Sequence, residues 1–482
     1  MSYINSNEYR ISKPTQYFIF ITFSILIFIF FLSGLVGLYI NKKNIEINFN
    51  EKVFKQFEDL MDKNYLLANK IKPNIQEFLL LNFSEGNKKV HIGKDNHLFF
   101  KEDTQTLINK NNCNNLEIIK KNFKNLNQFL KRKKVDFYLG ILPTKSQIMH
   151  NKYNHFNISL KRKYKGCYDT IPLNLEKQGL MVFNLEKFYK NLKHNNLFLK
   201  YDSHWSFDTM EAFSKVIADT IKSNSQNLNI NYIDIKKNRA SIKNYGDLYD
   251  MLDINDNFKM QEIFINQIES KDHNKIVNDT KSNVVLIGDS FTNIYSDETL
   301  NWGTKSGLAY QLAYRLKGSI NSFASNGSAF KTALMKNFLS AEKLKEKSVM
   351  ILIMTQRELR NIRKEIDFNN IVLDKNQLKI SNDQETILIT KESEFSDNFT
   401  PYKNVLIVHE ALLNNKKILV VTWAIKNRKK LYQLKLNNKI KVSLIPFSQK
   451  IKLNPKLSSY MMIDETNNYE SEMYWIETMH FN

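Results

Sequence analysis

The sequence of 482 residues predicts an α/β fold: a parallel sheet covered by helices on both faces, followed by a smaller β-rich module. Short apolar runs without polar alternation recur along the middle of the chain, and runs with helical periodicity separate them. Strands of this kind are buried on both faces, which is typical of parallel sheets in α/β proteins. From about residue 365 onward, short alternating runs between Asn-rich turns indicate the β-rich module.

Composition places the chain among ordinary globular proteins. Hydrophobic residues make up 42% and charged residues 25%, which excludes wholesale disorder, a collagen-like fibre and a multi-span membrane protein. The net charge is +21, but only nine of the 70 basic residues are Arg. Because base readout and phosphate forks favour Arg, we expect no nucleic-acid partner. An acidic polymer or an anionic membrane surface stays compatible with the charge.

One uncharged segment near the N-terminus has the length of a membrane span. Residues 17–40 carry no charge, and at ~1.5 Å per residue such a helix is ~36 Å long. No small-residue cleavage site follows, so we predict an uncleaved transmembrane anchor after a cytoplasmic leader of residues 1–16, with the following domain exported. Charged and apolar residues alternate in a helical way through residues 41–86, which predicts a juxtamembrane stalk.

The elements of the central domain follow from the apolar and helical runs. The predicted strands are Val135–Leu142, Met181–Leu185, Val284–Ile287, Ile320–Ala324 and Val349–Met354. The predicted helices are Leu116–Lys131, Phe207–Lys222, Ser306–Leu316 and Phe330–Lys347. In parallel sheets the active site lies at the carboxyl ends of the strands, so residues just beyond these strands are the functional candidates.

Ser290 is the candidate nucleophile. The apolar strand from Val284 runs into Gly288-Asp289-Ser290. A serine just past a parallel strand exposes its hydroxyl in a sharp turn, where backbone N–H groups can stabilise an oxyanion. The alternative is an ordinary turn, because Gly, Asp and Ser are common turn residues.

Asp202 and His204 are the candidate orienting acid and base. A serine hydroxyl needs an adjacent base, and a third group must orient that base. With one residue between them in a tight loop, the Asp202 carboxylate can reach one ring nitrogen of His204 while the other nitrogen faces the serine. Ser206 or Asp208 is expected to cap the helix that follows. The alternative for a lone His is a surface or core residue. A metal site would need further ligands, and no HExxH-like spacing is present, so we predict neither metal nor cofactor.

The GDS segment and the D-x-H pair together resemble the signature of SGNH (GDSL-type) hydrolases. Their order, with D-x-H-W before GDS, resembles the circularly permuted alginate O-acetyltransferase branch of the AlgX/AlgJ type. The segments 91–100, 139–145 and 355–359 are similar to further family motifs, although His97 replaces a usual Trp and Gln356 a common acidic residue. The resemblance covers roughly residues 88–362. It implies an SGNH-like three-layer α/β/α domain over residues 87–364.

The resemblance also implies further site residues. Gly327, with Asn326 beside it, is the expected oxyanion donor, and a simple turn is the alternative. Arg357 either binds an anionic sugar or pairs with a carboxylate inside the fold. Trp205 is either a sugar platform or a packed side chain behind the catalytic loop. Cys113 and Cys167 are either bridged or free thiols.

The function implied by the resemblance is O-acetylation of an exported polysaccharide through an acetyl-serine intermediate. A membrane-bound O-acyltransferase partner would supply the acetyl groups, and the accessory module of residues 365–482 would bind polymer. The expected location is the bacterial inner membrane, with the catalytic domain facing the periplasm. Two alternatives stay open: a carbohydrate O-acetyl esterase with the same triad, and a catalytically silent polysaccharide-binding or scaffold protein.

Overall fold

A computed structural model of the chain describes residues 13–40, 74–80, 85–103, 115–153, 167–193, 196–225, 228–252, 254, 258–327, 344–368, 385–393, 402–427, 429–431, 434–464, 466 and 471–481. The chain divides into two compact units, residues 1–85 with 253–257 and residues 86–252 with 258–482. The first unit contains the helices α1 (Lys13–Ile40) and α2 (74–80).

The structure does not support the transmembrane anchor predicted over residues 17–40. Across the residues that are described, no helix combines the length and the hydropathy that a membrane crossing requires. Most of the predicted stalk, residues 41–86, lies outside the described residues.

The second unit contains the remaining described elements. Its strands are β1 (Val90–Ile92), β2 (Leu98–Phe100), β3 (Asp136–Leu142), β4 (Met181–Val182), β5 (Ile235–Asn244), β6 (Gln261–Ser270), β7 (Val284–Gly288), β8 (Asn321–Ala324), β9 (Val349–Thr355), β10 (Glu385–Lys391), β11 (Val405–Leu413), β12 (Lys416–Lys426), β13 (Lys429–Lys430), β14 (Lys439–Pro446), β15 (Met461–Ile463) and β16 (Met473–Phe481). Its α-helices are α3 (Leu116–Arg132), α4 (Lys145–Ile148), α5 (His150–Tyr153), α6 (Ile171–Lys177), α7 (Leu185–Asn191), α8 (Phe207–Asn224), α9 (Asp247–Leu252), α10 (Ser290–Asn293), α11 (Leu308–Leu316) and α12 (Phe447–Leu453). Short 3₁₀ helices cover Lys94–Asn96, Cys167–Thr170, Glu298–Leu300, Gln356–Asn361 and Pro455–Ser458.

Five parallel strands form the central sheet in the order β4-β3-β9-β7-β8. These are the five strands predicted from the apolar runs. Successive residues of β7 pack on opposite faces: Val284 and Leu286 join the core that includes α8, whereas Val285 and Ile287 join the core that includes α3. Helices therefore cover both faces, which explains why the strand sequences are apolar without alternation. The predicted α/β class with a parallel sheet is confirmed.

The helices agree with their predicted ranges where the chain is described. Ser206 is the N-cap of α8, and its Oγ accepts a hydrogen bond from the Thr209 N–H at 3.3 Å. This confirms one of the two predicted caps. Helix α11 begins at Leu308 and not at Ser306, because Gly307 is its extended N-cap residue. The helix predicted over 330–347 lies almost wholly outside the described residues, as do Cys113 and the side chain of Cys167.

An antiparallel hairpin of β5 and β6 follows α8 and was not predicted. Its sequence is mostly charged and polar, because one face of the hairpin is largely exposed. Few apolar residues of the two strands are completely buried, among them Ile265 and Ile268, which pack into the central core. A strand with so few buried residues has a weak sequence signal.

The C-terminal strands form a second sheet in the order β13-β12-β16-β14-β10-β11-β15. The pairings are antiparallel except for β11 with β15 and β12 with β16. Because β11 also pairs with β12, the strands β12, β16, β14, β10 and β11 close on themselves. Their inward residues, such as Ile389, Val420 and Ile440, form a separate apolar core. A β-rich C-terminal region is confirmed.

Candidate active site

The turn after β7 presents Ser290 at the carboxyl edge of the central sheet. Asp289 is the N-cap of α10, and its Oδ1 accepts a hydrogen bond from the Phe291 N–H at 2.9 Å. The Oδ2 of the same carboxylate accepts from the Thr355 N–H at 2.8 Å, at the end of the neighbouring strand β9. Asp289 thus ties the nucleophile turn to the adjacent strand end.

The three residues predicted as a triad lie in one hydrogen-bond chain. His204 Nδ1 is 2.7 Å from Asp202 Oδ1, and His204 Nε2 is 2.7 Å from Ser290 Oγ. When Nδ1 donates its proton to the carboxylate, Nε2 carries the lone pair that accepts the serine hydroxyl. All three side chains are buried, so water screens these contacts little. The geometry is that of a serine nucleophile with an oriented base.

Asp202 is held ionised by four donors. Its Oδ1 accepts from the backbone N–H and Nδ1 of His204, and its Oδ2 accepts from the Asp247 N–H at 3.0 Å and Trp302 Nε1 at 2.8 Å. Burial opposes ionisation, but His204 and these donors hold the pKa of Asp202 below its usual range. Burial also lowers the pKa of His204, yet the Asp202 carboxylate outweighs it, so the pKa of His204 is raised.

Lys145 anchors the loop that carries the acid and the base. Its buried ammonium donates to the carbonyl oxygens of Leu199, Lys200 and Asp202 at 2.6, 2.9 and 2.9 Å. Burial lowers the pKa of Lys145 to about 7. Lys145 is the last residue of the segment 139–145 that resembles a family motif. Its three hydrogen bonds to the loop are the physical reason for a lysine at this position.

Two predicted substrate contacts face the protein interior. Trp205 is completely buried, and its Nε1 donates to the Phe291 carbonyl at 2.9 Å, so it has no face for a sugar. The structure therefore favours the alternative of a packed Trp behind the loop. Arg357 donates from Nη1 to Asp103 Oδ1 at 3.1 Å, and its guanidinium lies over the Phe100 ring. This is the internal pairing predicted as the alternative to sugar binding.

The predicted oxyanion segment lies beside the site but is partly engaged. The backbone N–H of Asn326 donates to the Ser459 carbonyl at 2.8 Å, and its Nδ2 donates to Asp297 Oδ2 at 3.0 Å. Its buried Oδ1 has no partner among the described residues. Gly327 adopts φ +73°, where glycine is favoured, and the oxyanion role of both residues stays a prediction.

Asp247 is a second carboxylate at the base that sequence reasoning missed. Its Oδ1 accepts from the Ser203 N–H at 2.7 Å, and its Oδ2 lies 2.6 Å from Ser203 Oγ and 3.6 Å from His204 Nδ1. Burial, with the nearby charge of Asp202, raises the pKa of Asp247 to about 7. Asp247 is the first residue of α9 and lies far from the D-x-H pair in the sequence, so no motif spacing indicates it.

Asp202, His204 and Asp247 also lie close enough together to bind a metal ion. A metal on His204 Nδ1 would displace the proton that this nitrogen shares with Asp202. These three side chains can therefore serve either the hydrogen-bond chain to Ser290 or a metal bound at Nδ1 of His204. The hydrogen bond between His204 Nε2 and Ser290 Oγ fits the hydrogen-bond chain.

Tyr402 is a further contact of the nucleophile that sequence reasoning missed. Its hydroxyl donates to Ser290 Oγ at 3.0 Å. The residue lies just before β11, in the module predicted to be accessory. Ser290 Oγ thus contacts both His204 and a residue of the C-terminal module.

A polar cleft opens beside the base. Both sheet regions contribute to its walls, which carry amides, carboxylates, two tyrosines and a lysine. The polar lining residues are Asn244, Asn301, Asn326, Asn404, Asp202, Asp247, Asp250, His204, Thr299, Tyr402, Tyr460 and Lys403. Amides, carboxylates and aromatic rings are side chains that can bind a hydroxyl-rich ligand.

Comparison with known proteins identifies the domain type. Residues 90–355, more than half of the chain, match the family model of the SGNH hydrolase-like domain of acetyltransferase AlgX. Among proteins with curated descriptions, none matches this chain in sequence.

Several solved structures are similar at low identity. The O-acetyltransferase domain of Pseudomonas putida AlgJ is 16% identical, with a TM-score of 0.43 over 56% of this chain and 92% of that one. Pseudomonas aeruginosa AlgX is 14% identical, with a TM-score of 0.44 over 72% and 86%. Bacillus cereus PatB1 is 14% identical, with a TM-score of 0.32 over 58% and 98%.

Proposed function

The chain belongs to the family of SGNH hydrolase-like acetyltransferases of the AlgX type, and we propose that it transfers acetyl groups to hydroxyls of an exported polysaccharide through Ser290. One observation carries this proposal: the buried hydrogen-bond chain from Asp202 through His204 to Ser290 Oγ. A serine hydroxyl is a weak nucleophile, and such a chain activates it.

In the first step Ser290 takes the acetyl group from its donor. His204 Nε2 removes the hydroxyl proton while the Oγ lone pair forms a bond to the acetyl carbon. The carbonyl electron pair moves onto the oxygen, and it returns when the donor oxygen leaves with the proton from His204. Asp202 keeps the His204 ring oriented and stabilises its charged form throughout.

An oxyanion forms in this step and needs donors. The proposed donors are the backbone N–H of Ser290, the N–H of Gly327 and the side-chain amide of Asn326. The Asn326 backbone N–H is already bound to the Ser459 carbonyl, and one Nδ2 hydrogen is bound to Asp297, so only the second Nδ2 hydrogen is left for this role. One well-placed donor is worth about 10²–10³-fold in rate.

In the second step a glycan hydroxyl accepts the acetyl group. The hydroxyl gives its proton to His204 Nε2, and its oxygen attacks the acetyl carbon. The bond to Ser290 Oγ then breaks, and the serine recovers its proton from His204. The polar cleft beside the base supports a hydroxyl-rich acceptor.

The donor and the location are part of the same proposal. A membrane-bound O-acyltransferase would supply acetyl groups across the bacterial inner membrane, and the domain would act on its periplasmic side. Family membership motivates both statements, because the acceptor of such an enzyme is an exported polymer.

The test uses the purified full-length chain with a chromogenic acetyl ester, with and without glycan acceptors. We expect a single acetyl on Ser290 by intact-mass analysis and products that shift to acetylated glycan. Ser290→Ala should lower acetyl release by about 10⁴–10⁶-fold. Ser214→Ala is the matched control, because this buried hydroxyl bonds only to the Glu211 carbonyl among the contacts described, within α8.

Two results would favour the alternatives. Acetate release that no acceptor changes would identify a carbohydrate O-acetyl esterase with the same triad. Equal behaviour of wild type and Ser290→Ala, both folded and both free of acetyl, would leave a polysaccharide-binding or scaffold protein.

A further inference from the structure

The C-terminal module contacts the reacting oxygen directly. Tyr402, just before β11, donates its hydroxyl proton to Ser290 Oγ at 3.0 Å, while Ser290 donates its own proton to His204 Nε2 at 2.7 Å. The nucleophile thus has two partners, and they come from different parts of the fold. A side chain that only supported a polymer-binding surface would not need to contact this atom.

The same module also holds the loop after β8. The Ser459 carbonyl accepts the Asn326 N–H at 2.8 Å, and the Tyr460 carbonyl accepts from Ser325 Oγ at 3.1 Å. A Cβ at Gly327 would lie 3.3 Å from Met461, so backbone and module are in close contact there. The module therefore positions the predicted oxyanion segment as well as the serine.

The tyrosine is suited to donate. Burial raises the pKa of Tyr402 above its ordinary value, although the Arg357 guanidinium and the bond to Ser290 oppose the shift. The phenol accordingly stays protonated over the whole pH range in which His204 can act as a base. Its ring also lines the cleft beside the catalytic base, so it lies where substrate approaches.

We propose that the C-terminal module is part of the active site and that Tyr402 is a catalytic residue, which donates a hydrogen bond to Ser290 Oγ when this oxygen becomes negative. The proposal rests on the acetyl-serine mechanism above. Charge grows on Oγ as its proton moves to His204, while the bond to the acetyl carbon is only partly formed. It grows again when that bond breaks and its electron pair returns to Oγ. Tyr402 keeps its proton in both steps, so the proton transfers between Ser290, His204 and the substrates are the same as in the mechanism above.

This role makes a prediction that polymer binding does not. A module that only binds polysaccharide changes transfer to long acceptors and leaves the reaction with small esters intact. A donor to Oγ affects acetylation of Ser290 by a small ester with no glycan present. Hydrogen bonds to charged groups correspond to about 10-fold to 100-fold in rate.

The experiment compares the full-length wild type with Tyr402→Phe and Tyr138→Phe. The Tyr138 hydroxyl bonds to Ser225 Oγ at 2.8 Å, so this control also removes a buried, hydrogen-bonded phenol. The acetylation rate constant is measured from the burst with a chromogenic acetyl ester, without glycan, and thermal melts verify folding. We expect a 10-fold to 100-fold slower burst for Tyr402→Phe, with KM changed less than threefold, and a burst within twofold of wild type for Tyr138→Phe.

Three outcomes would overturn the proposal. A Tyr402→Phe burst as fast as wild type, with only transfer to polysaccharide impaired, would reduce the module to polymer binding. A faster burst would mean that the hydroxyl restrains Ser290. A wild type that never acquires an acetyl on Ser290 would overturn the acetyl-serine mechanism itself, and Ser290→Ala run in parallel separates that failure from the other two.

Discussion

Replacing Asp202 by Asn tests the acid-base chain with no change in side-chain shape. The carboxylate accepts two N–H groups of His204 on Oδ1, and the N–H groups of Asp247 and Trp302 on Oδ2. An amide has a single acceptor oxygen, so its NH₂ group must face one of these pairs. Only the His204 ring can change from donor to acceptor, because Nδ1 can lose its proton to Nε2. The amide is therefore expected to turn its NH₂ group toward His204.

The magnitudes follow from that orientation. Nδ1 becomes the acceptor, Nε2 carries the proton, and His204 can no longer take the proton of Ser290; the expected fall in kcat is about 10⁴-fold. One buried donor, the His204 backbone N–H, stays unpaired. The free energy of unfolding should therefore fall by about 1–3 kcal/mol.

The assay is the acetylation burst with a chromogenic acetyl ester, together with urea unfolding of the same samples. Asp219→Asn is the matched control, because it removes the same charge from an exposed pair with Lys215. It should change the unfolding free energy by about 0.5 kcal/mol or less and leave the burst unchanged. A burst in Asp202→Asn within tenfold of wild type would refute the reasoning.

Three further predictions follow from the same contacts. The acetylation rate should rise with pH through an apparent pKa above the ordinary 6.5 of histidine, because Asp202 raises the pKa of His204 and only the neutral ring is a base; a midpoint below 6.5 would contradict this. Lys145→Met should lower the free energy of unfolding by about 2–4 kcal/mol and slow the burst at least tenfold, because three carbonyl oxygens lose their donor. Unfolding and burst assays measure both effects, and an exposed lysine changed to Met in the same way is the control. Gly288→Ala should slow the burst about 10²-fold, because the new Cβ would lie 2.2 Å from Thr292 Cγ2 and must displace the nucleophile turn; a wild-type burst would show that the turn absorbs a methyl group.

The sequence by itself determined the central sheet and the candidates at its edge. Each buried strand is a continuous apolar run, so its signal is local and survives without any knowledge of its neighbours. Ser290 follows one such strand directly, and Asp202 and His204 are two residues apart in a single loop. Chemistry that depends on adjacent positions can be predicted from the order of residues alone.

Only the tertiary structure decided which other side chains meet these three residues. Tyr402 lies 112 residues beyond Ser290, and Asp247 lies 44 residues beyond Ser203, whose N–H it accepts. Contacts between such distant segments leave no periodic pattern in the sequence. They arise because folding brings the segment before β11 to Ser290 and the start of α9 to the loop that carries His204. Contacts within the central domain likewise bury Trp205 and pair Arg357 with Asp103, and both depend on neighbours that only folding brings together.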